Sequence, residues 1–129
     1  MRASFIVTRG TPYEIMTMTF DELPEFQKER KRLARKYRSL SQDLEEFRNI
    51  VSVVPLENRK HFAVIAQNEH LSIVKARLFC RYLKGSSLRV TYSYCEQEQR
   101  IEFIEIYYKG DKENEDSHRV KEYLTKHQN

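Results

Sequence analysis

"IVKARLFCRYLKGSSLRVTYSY", residues 73–94, reads as two strands joined by a tight turn. β-Branched and aromatic residues dominate both halves, and Lys84-Gly85-Ser86-Ser87 interrupts them with turn chemistry. Alternation sends Val74, Ala76, Leu78 and Cys80 to one face of the first strand and Lys75, Arg77, Phe79 and Arg81 to the other. In the second strand Leu88, Val90, Tyr92 and Tyr94 match the apolar face, and Arg89, Thr91 and Ser93 the polar one. The stretch carries Lys75, Arg77, Arg81, Lys84 and Arg89 and no carboxylate. Like charges facing each other across strands are destabilising, so a sheet that keeps them suggests an anionic ligand.

Working outward, a third β-rich run at 101–109 follows the turn "EQEQ", completing an antiparallel meander from Leu71 onward. The same parity puts Ile104 and Ile106 on the apolar face and leaves Phe103, Tyr107 and Lys109 beside the cations. Upstream, Phe26, Leu33, Tyr37, Leu40, Leu44, Phe47 and Val51 recur at helical spacing, predicting helix over about 23–52. Ser39 and Gln42 have the form of a capping box, which divides this stretch into a helical hairpin near Arg38 and Ser39. "LENRKHFAVIAQNEH", 56–70, is long enough for a strand or helix of its own and supports no assignment. Val120, Tyr123 and Leu124 predict a short helix within 116–127, and Ile15 to Phe20 an initial strand. The expected order is β, α, α, β, β, β, α, in one domain over 15–129. Residues 1–14 form an extension, read either as an added strand through "SFIV" or as a leader upstream of a start at Met16 or Met18.

A chain of 129 residues with 40% hydrophobic residues is long enough for one modest core, and 3 Gly and 3 Pro exclude a collagenous or linker-like polymer. No run approaches a membrane span, and the N-terminus lacks a basic region followed by an apolar one, so membrane insertion and secretion are not expected. Cys80 and Cys95 both fall inside predicted strands, where packing with reduced thiols, as in the cytoplasm, is the simplest role. Net charge of +4 leans only mildly toward polyanions, and its distribution is more telling. Residues 28–38 and 59–92 are strongly basic whereas acids outnumber bases over 96–116, a sorting that suggests opposite surfaces. His61, His70, His118 and His127 show no metal-ligand spacing, no phosphate-cradling glycine loop exists, and Ser86 and Ser87 look like turn residues. No metal or other cofactor is expected.

The open face thus gathers Lys75, Arg77, Arg89 and Lys109 with Phe103 and Tyr107, a set suited to holding phosphates by charge and bases by stacking. Arg81 and Lys84 lie nearer the turn, at the margin of this set. A solvated sheet face is the plainer alternative, favoured for any one of these residues taken singly.

"FQKERKRLARKYRSLSQDLEEF", "IVKARL", "GSSLRVTY" and "IEIYYKGDKEN" follow in an order and spacing that resemble the RelE/ParE superfamily of bacterial toxin–antitoxin toxins, especially its RelE- and HigB-like members, over about residues 18–125. The resemblance implies an α+β, RelE-like fold: an N-terminal helical hairpin packed on a small antiparallel β-sheet, with a short C-terminal helix. It implies a toxin that cleaves messenger RNA in the ribosomal A site without metal, inhibits translation and is silenced by a cognate antitoxin. By the same resemblance Lys75 and Arg77 match the family's paired strand cations and Arg89 the arginine of the next strand. Lys109 and Lys112 lie where further basic residues are placed, and with the resemblance Arg81, Lys84, Lys112 and Phe103 read as RNA contacts, Arg81 and Lys84 peripheral ones near the turn. Gly110 stands where RelE has an arginine and Asp116 where it has a catalytic tyrosine, leaving Tyr107, Tyr108 or His118 to substitute.

The implied chemistry is attack of the 2′-hydroxyl on phosphorus, giving a 2′,3′-cyclic phosphate. Arg77 and Arg89 are assigned as phosphate clamps, Lys75 as general base, and Lys109 or a tyrosine such as Tyr107 as proton donor. Two other functions fit the same fold: a ParE-like poison of DNA gyrase, and a non-catalytic RNA- or protein-binding module.

Overall fold

The computed structural model describes residues 3–8, 15–55 and 61–128. The chain runs β1 (Ala3–Thr8), β2 (Ile15–Glu22), α1 (Pro24–Lys36), α2 (Leu40–Val53), β3 (Phe62–Gln67), β4 (Ser72–Cys80), β5 (Gly85–Cys95), β6 (Arg100–Tyr108) and α3 (Ser117–Lys126). The strands form one six-stranded sheet in the order β1-β2-β6-β5-β4-β3. It is a mixed α/β fold, with β2 and β6 parallel and every other neighbouring pair antiparallel. The initial strand expected at 15–20 is present as β2 and the strand through "SFIV" as β1, so the hairpin is not N-terminal as the resemblance implies, and the parallel β2–β6 pairing corrects the expectation of a purely antiparallel sheet. Among the described residues no helix is long and apolar enough to cross a membrane.

Pro24 opens α1 at a position whose N–H has no intrahelical partner, and Glu25 at its start with Arg35 and Lys36 at its end suit the helix dipole. Phe26 and Leu33 of α1 and Leu40, Leu44, Phe47 and Val51 of α2 are buried against the sheet. At the corner Tyr37 leaves helical geometry, so the hairpin breaks where the sequence suggests. The capping box does not form. Ser39 makes no side-chain cap; its hydroxyl donates to Asp43 Oδ2 (2.7 Å) and accepts from the Tyr82 N–H (2.9 Å), tying the start of α2 to the end of β4.

Val74, Ala76, Leu78, Cys80, Leu88, Val90 and Tyr92 face the helices in the main core, as alternation requires. Phe103 joins them, stacked between Phe20 (5.9 Å) and Phe26 (5.2 Å). This overturns its placement beside the cations. The pairing of β5 with β6 slips between Thr91↔Glu105 and Tyr92↔Phe103, so Ile104 is an extra residue on β6. One bulged residue inverts the parity of everything before it. Ile104 consequently joins Leu71, Ile73, Val120 and Tyr123 in a second core, where α3 covers one end of the opposite sheet face.

The unassigned segment supplies β3, which pairs with β4 through its own irregularity between Val64 and Ala66. Asn68 turns the chain between them, its Oδ1 accepting from the N–H groups of His70 (2.8 Å) and Leu71 (3.0 Å). At the β4–β5 turn Lys84 takes a left-handed conformation, φ 53°, directly before Gly85.

Candidate functional site

Beyond the reach of α3, the face opposite the helices carries two transverse rows. In the first, Arg77, Arg89 and Tyr107 stand in register across β4, β5 and β6. Continuing the Phe62↔Ala76 pairing by one residue brings His61 to the same row, and the Arg77 N–H donates to the His61 carbonyl (2.9 Å). In the second row Lys75, Thr91 and Glu105 are in register.

His61, Lys75, Arg77, Arg89 and Lys109 line one open cleft of about 210 Å³. Arg77 is exposed, whereas Arg89 is half-buried and aimed by its own backbone, Nη1 donating to the carbonyls of Ser86 (2.6 Å) and Leu88 (3.1 Å). Burial and then the neighbouring Arg77 charge push the Arg89 pKa down, with Tyr107 opposing. A guanidinium so lowered stays charged at neutral pH, so the two cations face each other at a real electrostatic cost. Lys109 follows β6 directly; its N–H donates to the Ser87 carbonyl (2.8 Å) while its side chain stays exposed.

Lys75 differs from the other three, because its Nζ donates to Glu115 Oε1 (2.8 Å). Glu105 is a fully buried carboxylate that accepts from Lys112 Nζ and from the Asp116 N–H (2.8 Å). The acid-rich segment therefore folds back on the second row with complementary charge, Lys112 on Glu105 and Glu115 on Lys75. Basic and acidic regions meet on one face here, which corrects the expectation of opposite surfaces. Burial pushes the Glu115 carboxyl up, but the Lys75 hydrogen bond, its own backbone and the charges of Lys75 and Lys112 outweigh that and leave it below the ordinary range.

Tyr107 is 4% exposed, and among the described residues its hydroxyl has no hydrogen-bond partner. Lys112 Nζ lies 5.1 Å from its ring centre. Burial, then Glu115 and Glu105, push its pKa up to about 12 against the pull of Arg89. It holds its proton at neutral pH.

The remaining expected contacts fall elsewhere. Arg81 is bound to α2: its N–H and Nη1 donate to Asp43 (3.2 and 2.9 Å) and Nη2 to Glu46 (2.8 Å). It is a tie between helix and sheet. Lys84 is exposed at the turn, Lys112 is committed to Glu105, and Phe103 is in the core. Gly110 has a local reason, since a Cβ there would overlap the Tyr108 ring. Asp116 has one too: it is the N-cap of α3, accepting from the Arg119 N–H (3.1 Å). His118 lies on α3 near Glu122 (3.6 Å).

His61, Glu105 and Glu115 are the site residues that sequence reading passes over. His61 lies in the segment left unassigned, and the two carboxylates come from the acidic region read as a separate surface. Among the described residues no group of three or more histidine, cysteine or carboxylate side chains converges as a metal site. What the cleft offers is paired guanidinium donors for a phosphate, an exposed ammonium and one imidazole.

No protein-family model matches the chain, and no curated protein matches it in sequence. In fold it is similar to a chain of the archaeal RelE–RelB complex from Pyrococcus horikoshii OT3, with a TM-score of 0.55 and 19% identity over 72% of this chain and 96% of that one. The architecture that positions the cleft is thus a RelE-like fold.

Proposed function

We propose that the chain is the toxin of a type II toxin–antitoxin pair and that it cleaves messenger RNA on the ribosome without a metal. The observation that carries this reading is the Arg77–Arg89 pair, held in register on an uncovered stretch of a RelE-like sheet. Two guanidinium groups can grip the non-bridging oxygens of one phosphodiester, and they gain most as negative charge builds on the pentavalent phosphate. Attack of the 2′-oxygen forms the 2′,3′-cyclic phosphate as the bond from phosphorus to the 5′-oxygen breaks. The exposed Lys109 ammonium supplies the proton that the departing 5′-oxygen needs. Lys75, engaged by Glu115, serves as an electrostatic neighbour to the phosphate in place of a base.

The similar chain comes from a RelE–RelB complex, and a cognate antitoxin is the partner proposed here. The cytoplasm, where messenger RNA and ribosomes are found, is the proposed location. Expression of the chain, followed by mapping of new messenger RNA ends, tests the reading. Cyclic phosphate termini within codons and arrest of translation are expected, with Arg89→Ala losing about 10²–10³ in rate. Intact message beside inhibited gyrase supercoiling would instead favour a ParE-like poison.

A further inference from the structure

Cleavage as proposed above lacks one group: something must take the 2′-hydroxyl proton. Arg77 and Arg89 stay protonated because guanidinium does not give up its charge in proteins. Lys75 is a donor to Glu115, Lys109 is an exposed ammonium, and Tyr107 keeps its proton to about 12 with its hydroxyl buried. All five are donors. Among the described residues His61 is the one remaining polar side chain that lines the cleft, and a neutral imidazole carries a free nitrogen lone pair.

We infer that His61 is the general base of this cleft, accepting the 2′-hydroxyl proton as the 2′-oxygen attacks phosphorus; the inference rests on the ribonuclease reading. Its placement is set by the sheet. The Arg77 N–H holds the His61 carbonyl at 2.9 Å, so the imidazole and the Arg77 guanidinium leave adjacent strands at paired positions of the same row. A phosphate gripped between Arg77 and Arg89 would have its ribose within reach of either end of that row. His61 is at the open end; Tyr107, at the other, is buried. Arg77 and Lys75 on β4, Arg89 on β5 and Lys109 after β6 line the cleft with the imidazole, and Asp43 and Glu46 of α2, both bound to Arg81, line the adjoining groove that His61 also borders. In the full step the proton passes from the 2′-oxygen to His61, the bond to phosphorus forms, the 5′-oxygen leaves with a proton from Lys109, and water returns the proton from imidazolium to lysine.

The test is single-turnover cleavage of a message on programmed ribosomes by wild type, His61→Ala and His61→Gln across pH, with and without added imidazole. Binding of the same complexes carrying a 2′-deoxy substitution at the cleavage position is measured alongside. The inference expects both variants to lose about 10²-fold or more in rate, to keep their affinity for the deoxy message, and to lose the rise of rate with pH. Imidazole should restore much of the His61→Ala rate. Wild-type rates and pH profile in the variants would overturn it, and so would a loss that affinity accounts for and imidazole does not rescue. A wild-type protein that binds but never cuts would overturn the ribonuclease reading itself, an outcome separate from either.

Discussion

Arg119 on α3 grips Glu29 on α1 through two parallel hydrogen bonds, Nη1 to Oε1 at 3.0 Å and Nη2 to Oε2 at 2.9 Å. The same side chains also serve the backbone of β6, Arg119 Nη1 donating to the Ile104 carbonyl (2.9 Å) and Glu29 Oε1 accepting from the Ile106 N–H (3.2 Å). β2 accompanies β6 only as far as Glu22↔Phe103. Where that neighbour ends, an ion pair provides the donor and the acceptor that a continuing strand would have supplied, at the bulge that turns Phe103 into the core.

Removing either partner leaves a half-buried charge and a backbone group of β6 without its bond. Arg119→Ala and Glu29→Ala should each cost about 1.5–3 kcal/mol, the range for hydrogen bonds to charged groups. Urea denaturation should show the double variant costing clearly less than the sum, because the two side chains act as one unit. Arg119→Lys should recover little, since a lysine cannot present the paired donors. Additive losses of a few tenths would mean that the pair is ornamental.

The legible parts of this fold are those where pattern and burial coincide. Alternation along β4 and β5 and the helical spacing through α1 and α2 correspond to faces that are buried in the main core. β3 escaped because its residues are mostly half-buried and its pairing is irregular, so strict alternation does not mark it, and its short apolar run over 62–66 suits a strand and a helix segment equally. The bulge at Ile104 has no signature in residue type, since isoleucine suits either face, and it misplaced Phe103. In the site, Arg77, Arg89 and Lys109 reached the cleft because parity alone places them. The partners of Lys75, Arg81 and Lys112 were illegible, for they come from Glu115, Asp43 and Glu105, and long-range ion pairing leaves no local pattern.

Two arginines in register should destabilise the fold they serve. Arg77→Gln removes the repulsion, and the protein should gain roughly 0.2–1 kcal/mol at low salt. The gain should shrink as salt screens exposed charge. Affinity for RNA should fall, and the dependence of log K on log salt should flatten by about one unit as one phosphate contact is lost. A less stable variant that binds RNA with an unchanged salt slope would contradict both halves of the argument.

The Lys75–Glu115 pair makes stability depend on pH in a definite sense. The folded pKa of Glu115 is depressed, so at acid pH the unfolded chain binds the proton more readily. The contribution is therefore fully present above the ordinary glutamate range and disappears as pH falls through the lower folded value. Urea midpoints of wild type and Glu115→Gln should differ at neutral pH and converge in acid. Asp116, depressed chiefly by its bond to the Arg119 N–H, titrates in the same direction, but it does so in both proteins and cancels in the comparison. Curves that stay parallel into acid would show that the pair contributes nothing through its charge.

Tyr107 separates the demands of the fold from those of the chemistry. Its buried hydroxyl has no partner among the described residues, so Tyr107→Phe should leave stability unchanged or raise it by about 1 kcal/mol, the cost of an unsatisfied polar group being relieved. The sign of the pH effect is opposite to that of Glu115. With its folded pKa raised to about 12, the neutral phenol is favoured in the native state and the phenolate in the unfolded one. Wild type should lose stability as pH climbs above the ordinary tyrosine value of about 10, and the phenylalanine variant should lose less. Tyr92 and Tyr123 are raised as well and form a common background, so the informative quantity is the difference between the two proteins. Cleavage should scarcely change, because a hydroxyl on a residue 4% exposed reaches no RNA while Lys109 is exposed in the cleft. If Tyr107→Phe instead abolished cleavage while the protein stayed folded, the leaving-group proton would have to come from the tyrosine, and the row would have to open at that end during turnover.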